Sequence, residues 1–380
     1  MTKIVVSGYY GFDNLGDEAI LMSMVRAFKS VKKDMEIVIL SNNPEKTGEE
    51  YQVKAISRNN LLAFIKELKN CDLFISGGGS LLQDVTGWKT IPFYLGQIVL
   101  AKLLGKRTAV FSQGIGPVKR KFYHIMISNI LGRVEFISVR DGRSRDLLKK
   151  WGIKDDKIKL SADPVFLLKG LIDDSKKLSS KRKKEKVFKS PGAPTIVVSV
   201  RPWMGNKYLY SFADSLSRLA IDINANVLII PMHLQQDEDI SIELCEIINN
   251  TYKDRRYQGQ VVVDNNKYSP EELIALIKNA DLLIGVRLHS VIFAALTDVP
   301  FVAIEYDPKV TAFLEMMSLN SGVKIDELDA DKLLRISKSI WENRKQFKAI
   351  LEQQGALLNK LILNNLITLL ALTEENNDVQ

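Results

Sequence analysis

Residues 281–290 of this 380-residue sequence read DLLIGVRLHS. An apolar run ends on Arg287 and His289, followed by Ser290, and the whole chain contains only three histidines. A guanidinium binds a carboxylate or a phosphate bidentately. An imidazole exchanges its proton near neutral pH. Two further arginines stand at the ends of apolar runs: Arg140 after EFISV and Arg201 after TIVVSV. One such arginine reads equally well as an ion pair or a snorkelling stem. Three at equivalent positions point to an anion with several negative oxygens. Lys309, in EYDPKV beside Glu305 and Asp307, is a fourth candidate cation, or part of an exposed turn. His233 follows the apolar NVLIIPM and is placed to line the same site, whereas His124 reads as structural.

The second group is rich in glycine. SGYYGFDNLGDEAIL (7–21) offers Gly8, Gly11 and Gly16 with Asp13, Asn14, Asp17 and Glu18. Its glycine spacing is not the dinucleotide fingerprint, and no GK[ST] follows to make a P-loop. Asp13 and Asp17 suit hydroxyl binding or general-base work. Asp17 has a plainer reading as a helix cap. ISGGGSLLQD (75–84) brings Gly77, Gly78 and Gly79 together, and SQGIGPV (112–118) is a third such loop. Each alone is a tight turn, but three after apolar runs imply that bare backbone lines a site. The sequence shows no cluster with metal-ligand spacing.

These residues need elements to hold them. Apolar runs without polar alternation, at 3–8, 36–41, 71–78, 107–113 and 135–141, read as strands. Helical stretches lie between them at 17–31, 60–70, 92–104 and 143–152, the last closed by Gly152. Such alternation predicts a parallel sheet covered on both faces. Residues 171–194 are polar and highly charged and end in Pro/Gly, which reads as a linker. The alternation then restarts, with strands at 195–202, 226–232, 260–265, 281–286 and 300–306 and helices at 207–222, 270–279 and from about 290. Ser269, Pro270 and Glu272 form the capping box of the helix at 270–279. The expected fold class is therefore α/β, with two Rossmann-like, doubly wound domains at 1–170 and 195–345 and a C-terminal helix and tail at 346–380. Ligands in such sheets sit outside the carboxyl ends of the strands. Two facing domains would form a cleft.

Bulk properties narrow the function classes. The net charge is +8 and the pI about 9.1. That balance favours anionic small molecules or an acidic lipid surface. Nucleic acid fits poorly: the cations are scattered apart from KRKKEK (181–186), which reads as a solvated linker. Cys71 and Cys245 lie far apart and give neither a disulfide framework nor a metal site, favouring a reducing, cytoplasmic compartment. MTKIVVSG is too short and β-branched for a signal peptide, and no apolar run nears a membrane span. GALLNKLILNNLITLLALT (355–373) reads first as a helix packed on the domains, and second as an interfacial membrane helix.

GYYGFDNLGDEAIL, ISGGGSLLQD, SQGIGPV, SVRD, SADPVF, SVRPW, GVRLHS and VPFVAIEYDPKV occur in this order from residue 7 to 310. As an ordered set they resemble the bacterial polysaccharide pyruvyl transferases, of the CsaB type. The resemblance implies a GT-B-like fold and transfer of pyruvate from phosphoenolpyruvate to two hydroxyls of one sugar. The product is a cyclic ketal, and the implied acceptor is N-acetylmannosamine on a lipid-linked cell-wall precursor. It implies Arg287, Leu288 and His289 as a donor-binding element, with Ser290 at the helix start and Lys309 at the donor. Arg140 and Arg201 compete for the role of a further donor arginine. Gly11, Asn14, Gly78 and Gly79 are the candidates for the acceptor. Protonated His289 is the candidate acid, and Asp13 or Asp17 the base. No cofactor or metal is required. A lipid-linked acceptor would draw the basic surface towards anionic lipids at the inner face of the membrane. Two other readings share the fold: a glycosyltransferase using a nucleotide sugar, and a non-enzymatic receptor for an anionic metabolite.

Overall fold

A computed structural model describes residues 2–85, 87–169, 192–252 and 259–374. The chain divides into two compact units, Met1–Leu168 with Leu357–Gln380, and Lys169–Ala356. The KRKKEK run and residues 171–191 of the expected linker lie outside the described residues.

The first unit contains β1 (Lys3–Ser7), α1 (Leu15–Val31), β2 (Glu36–Ser41), α2 (Pro44–Tyr51), β3 (Lys54–Ser57), α3 (Leu61–Lys69) and β4 (Leu73–Ser76). It continues with β5 (Gly79–Leu82), α4 (Thr90–Leu103), β6 (Arg107–Ile115), α5 (Lys121–Leu131), β7 (Phe136–Val139), α6 (Gly142–Lys150) and β8 (Ile158–Leu160). The strands lie in the order β3-β2-β1-β4-β6-β7-β8, with β5 paired to β6 beyond the end of β4. Every pairing is parallel. Ile4, Val5, Val6, Leu73, Phe74 and Ile75 are fully buried, so the two central strands are covered on both faces. This is why their sequences lack alternation. Each such side chain stabilises the fold by about 1.5–3 kcal/mol relative to exposure.

The second unit contains β9 (Thr195–Ser199), α7 (Tyr208–Ile223), β10 (Asn226–Ile229), α8 (Leu234–Tyr252), β11 (Val261–Val263) and α9 (Pro270–Lys278). After these come β12 (Leu282–Gly285), α10 (Leu288–Leu296), β13 (Phe301–Glu305), α11 (Pro308–Met316), β14 (Gly322–Lys324) and α12 (Ala330–Glu342). Its parallel sheet is ordered β11-β10-β9-β12-β13-β14. The capping box at α9 forms as the sequence predicts: Glu272 N–H donates to Ser269 Oγ at 3.3 Å, and Ser269 N–H to Glu272 Oε2 at 3.0 Å.

The last helix, α13 (Arg344–Ala371), belongs to the second unit up to Ala356 and to the first from Leu357. Its Leu358, Ile362, Leu366, Leu369 and Leu370 are buried. Asn359 and Asn365 donate Nδ2–H bonds to the carbonyls of Phe166 and Leu160, pinning it to the first unit. Burial of this face is the packed-helix reading of the tail. Among the described residues no helix is long and apolar enough to cross a membrane.

Both sheets reverse direction of winding at one place, between β1 and β4 and between β9 and β12. Loops at such a switch point diverge and leave a crevice at the carboxyl edge. The motifs singled out in the sequence are these loops: 8–14 after β1, 77–78 after β4, 200–207 after β9 and 286–287 after β12.

Candidate active site

At the second switch point, α10 begins at Leu288 rather than near Ser290, with Arg287 as its N-cap. Arg287 is held firmly. Its Nε donates to Asp237 Oδ2 at 2.9 Å, its Nη2 donates to Asp237 Oδ1, and Nη2 also reaches Gln236 Oε1 at 3.1 Å. Asp237 is completely buried and also accepts from His233 N–H at 3.0 Å. A buried carboxylate gripping two guanidinium nitrogens fixes the direction of the fork. His289 is the second residue of α10, half-buried, with its ring centroid 6.1 Å from that of Phe293. Leu288 and Ser290 are buried, and Ser290 Oγ donates to the Arg287 carbonyl at 2.6 Å. The Leu288 side chain is therefore core, and the Ser290 hydroxyl braces the turn. What this turn offers an anion is the positive end of a nine-residue helix.

Arg201 and Lys309 converge on one aromatic ring. Arg201 Cζ lies 4.5 Å and Lys309 Nζ 5.6 Å from the Tyr306 centroid, and Trp203 meets Tyr306 edge-on at 5.3 Å. Arg201 Nε is buried without a hydrogen-bond partner. Lys309 sits in the first turn of α11, where Asp307 caps the helix and lies 3.7 Å from its Nζ. The Tyr208 hydroxyl donates to the Arg201 carbonyl at 2.7 Å. Burial raises its pKa far above that of a free phenol. The loops after β9, β12 and β13 thus place Arg201, Arg287 and Lys309 along one edge of one sheet.

Arg140 is a different case. It lies in the first unit, buried, with Nη1 donating to Asp163 Oδ2 and Nη2 to Ser80 Oγ, each at 2.9 Å. A Cβ on Gly114 would fall 2.8 Å from Arg140 Nε, so that glycine makes room for the guanidinium. Arg140 thus forms a buried ion pair with Asp163 in the first unit, and residues 112–115 of SQGIGPV continue β6 rather than forming the expected loop.

At the first switch point Asn14, not Asp17, caps α1, accepting from Gly16 N–H at 3.1 Å. Asp17 is the third residue of the helix, and a Cβ on Gly79 would stand 3.0 Å from its Oδ1. Asp13 has φ 57° and an exposed carboxylate paired with Lys46 Nζ at 2.5 Å. The glycines are required by space. On Gly78 a Cβ would lie 2.6 Å from Pro164 Cγ, and on Gly11 (φ +78°) 2.2 Å from Ser41 Oγ. Glu18 ties the loop down: its Oε1 accepts from Gly11 N–H at 2.7 Å and its Oε2 from the Tyr51 hydroxyl at 3.2 Å. Burial pushes the Glu18 pKa up to about 7, against the pull of the Gly11 bond. Arg58 stacks over Phe12, Phe93 and Tyr94, and Tyr9 stacks flat on Phe12 at 4.1 Å.

Asp237, Tyr208, Tyr306, Trp203 and Arg58 were not singled out in the sequence, and Glu18 appeared there only as an acid of the first helical turn. Trp203 and Tyr306 lie inside quoted motifs, SVRPW and EYDPKV, and were legible there. Asp237 lies in the polar start of α8, which carries no apolar signal. Among the described residues no group of three or more His, Cys, Asp or Glu side chains is placed to hold a metal ion.

A family model described as polysaccharide pyruvyl transferase matches residues 14–308, from the cap of α1 to the start of α11. The chain belongs to that family. The Amylovoran biosynthesis protein AmsJ of Erwinia amylovora is 21% identical over 416 residues, covering 94% of this chain and 98% of that protein. Solved structures agree on the fold. The UDP-GlcNAc 2-epimerase of Neisseria meningitidis superposes with a TM-score of 0.66 at 12% identity, covering 97% of this chain and 100% of that one. Anabaena Alr3699/HepE with UDP-glucose gives 0.59 at 12% identity over the whole of both chains. A glycosyltransferase of Rickettsia africae gives 0.61 at 14%, covering 98% of each. At these identities the likeness is one of fold alone, GT-B-like with two Rossmann-like domains. The family makes the chain an enzyme of polysaccharide pyruvylation.

Proposed function

We propose that this pyruvyl transferase takes phosphoenolpyruvate as donor and forms a cyclic ketal on two hydroxyls of one sugar, releasing phosphate. The observation that carries this reading is the set of Arg201, Arg287 and Lys309 on one sheet edge beside the N-terminus of α10. Phosphoenolpyruvate has a carboxylate and a phosphate, and three cations with a helix dipole match that charge.

The chemistry needs little else. A sugar hydroxyl adds to C2 of the enol as a proton reaches C3, turning the methylene into a methyl group. Phosphate then leaves C2 with its electron pair, and the second hydroxyl attacks C2 to close the ring, its proton passing to the departing phosphate. His289, in the same helical turn as the Arg287 cap, is the proton donor to C3. Asp13 or Asp17 accepts the hydroxyl proton, and Gly11, Asn14, Gly78 and Gly79 leave backbone exposed to the acceptor. The sugar is the N-acetylmannosamine of a lipid-linked cell-wall precursor, of the CsaB type. No cofactor enters these steps, and they belong in the cytoplasm, where phosphoenolpyruvate is available.

The test is phosphate release from phosphoenolpyruvate with a synthetic lipid-linked N-acetylmannosaminyl disaccharide. Acceptor-dependent release by the wild type that falls at least about 100-fold in His289→Ala supports the scheme. Product formed from a UDP-sugar without phosphoenolpyruvate turnover would make the cation cluster a nucleotide-phosphate site instead.

A further inference from the structure

Two neighbouring loops of the first unit expose what a folded surface normally hides. The loop after β5 presents Val85 and Trp88 at 57% and 60% exposure, and the start of α5 presents Phe122 and Ile125 at 53% and 65%. Phe122 and Ile125 are three apart on the helix and share one face. The loops are stitched together rather than merely adjacent. Asp84 Oδ1 and Oδ2 accept from Lys119 N–H at 2.8 Å and Arg120 N–H at 3.0 Å, and the Tyr123 hydroxyl donates to the Trp88 carbonyl at 2.5 Å. Around the apolar side chains stand Lys89, Lys119, Arg120 and Lys121, all exposed. Residues 84–90 and 117–125 contain a single acid, Asp84, which is buried and lies 3.5 Å from the Arg120 guanidinium, leaving the three lysines as the rim unpaired among the described residues. Trp88 has Lys89 Nζ 5.3 Å from its ring.

An exposed apolar cluster rimmed by charge marks an interaction surface. Here the rim is of one sign and the apolar members include Trp and Phe. Tryptophan settles at the headgroup level of a bilayer, where its ring is apolar and its N–H is wet. Lysine and arginine are drawn to anionic headgroups. We propose that the loops after β5 and β6 dock the enzyme onto an anionic lipid surface, Trp88, Phe122 and Ile125 entering the interface and Lys89, Lys119 and Lys121 facing the headgroups. All strands of this sheet are parallel, so these loops leave the same edge as the loops carrying Gly11, Asp13 and Gly78. A membrane bound there lies along the edge assigned to the acceptor. In that respect the inference rests on the lipid-linked acceptor, but the docking itself is read without any catalysis.

The experiment is co-sedimentation of the full chain with phosphatidylcholine vesicles, with and without phosphatidylglycerol. The wild type should bind only the anionic vesicles, and added salt should weaken binding. Lys119→Glu/Lys121→Glu should bind about 25-fold more weakly or worse, since each cation near the surface contributes about five-fold. Trp88→Ala/Phe122→Ala should also lose binding. The Tyr123 bond goes to the Trp88 backbone, so that anchor survives the change. Both variants should melt with the wild type and turn over a water-soluble acceptor at the wild-type rate, losing only turnover of acceptor embedded in vesicles. Equal sedimentation with neutral and anionic vesicles, no binding to either, or unchanged binding by both variants would overturn the proposal. Lipid binding that follows the variants without any pyruvyl transfer would leave the docking surface standing and remove the assigned reaction.

Discussion

Asp237→Asn separates a positioning role for Asp237 from mere occupancy of the core. The carboxylate accepts from Arg287 Nε, Arg287 Nη2 and His233 N–H while being completely buried. The amide has the same shape but no charge, and its NH2 would face a guanidinium N–H, donor against donor. Breaking a buried pair by removing one partner costs about 3–5 kcal/mol. The Arg287 side chain keeps 16% exposure and can turn towards water, so the lower end applies, about 3 kcal/mol. For a unit of this size that corresponds to a fall of about 6–12 °C in its melting temperature. Released from Asp237, the guanidinium no longer presents a fixed fork, and the KM for the proposed donor, phosphoenolpyruvate, should rise about 10-fold or more. Urea unfolding followed by phosphate-release kinetics measures both. If the variant unfolds within about 0.5 kcal/mol of the wild type and keeps its KM, Asp237 does not orient Arg287.

Two other predictions concern the first unit. Glu18 has its pKa raised from 4.5 to about 7 by burial, so its contribution to stability is present below pH 4.5 and is lost as pH rises through 7. The loss amounts to about 3 kcal/mol. Urea unfolding at pH 5 and pH 8 should show it in the wild type and not in Glu18→Gln; a similar decline in both would assign the pH dependence elsewhere. Gly11→Ala forces a side chain into positive φ and within 2.6 Å of the Asn43 backbone nitrogen, and should cost about 2–3 kcal/mol. A thermal melt indistinguishable from the wild type would mean that the loop yields freely.

The fold was legible because its signals are local. Doubly buried strands such as IVVS and LLIG have no polar alternation, and the SPEE start of α9 writes its own cap. α5 and α12 were missed although each buries an apolar face, and so were elements without an apolar stripe. α2 (PEKTGEEY) and the first turns of α8 (LQQDED) are mostly polar, and β8 is only three residues long. The start of α10 was placed two residues late because Arg287 makes no side-chain cap that a sequence pattern could reveal.

The sequence alone determined the two parallel α/β units, the loops that end their central strands, and the family, because strand burial and loop glycines are properties of contiguous residues. Which cations are available to a ligand was decided only by tertiary structure. Arg140, Arg201 and Arg287 look alike as strand-end arginines. Yet Arg140 is buried between Asp163 and Ser80, Arg287 is held by Asp237 fifty residues earlier in the chain while part of its side chain stays exposed, and Arg201 and Lys309 both lie against the Tyr306 ring. A guanidinium's role depends on which carboxylate the fold brings to it, and that pairing is made between distant segments that carry no local mark of each other.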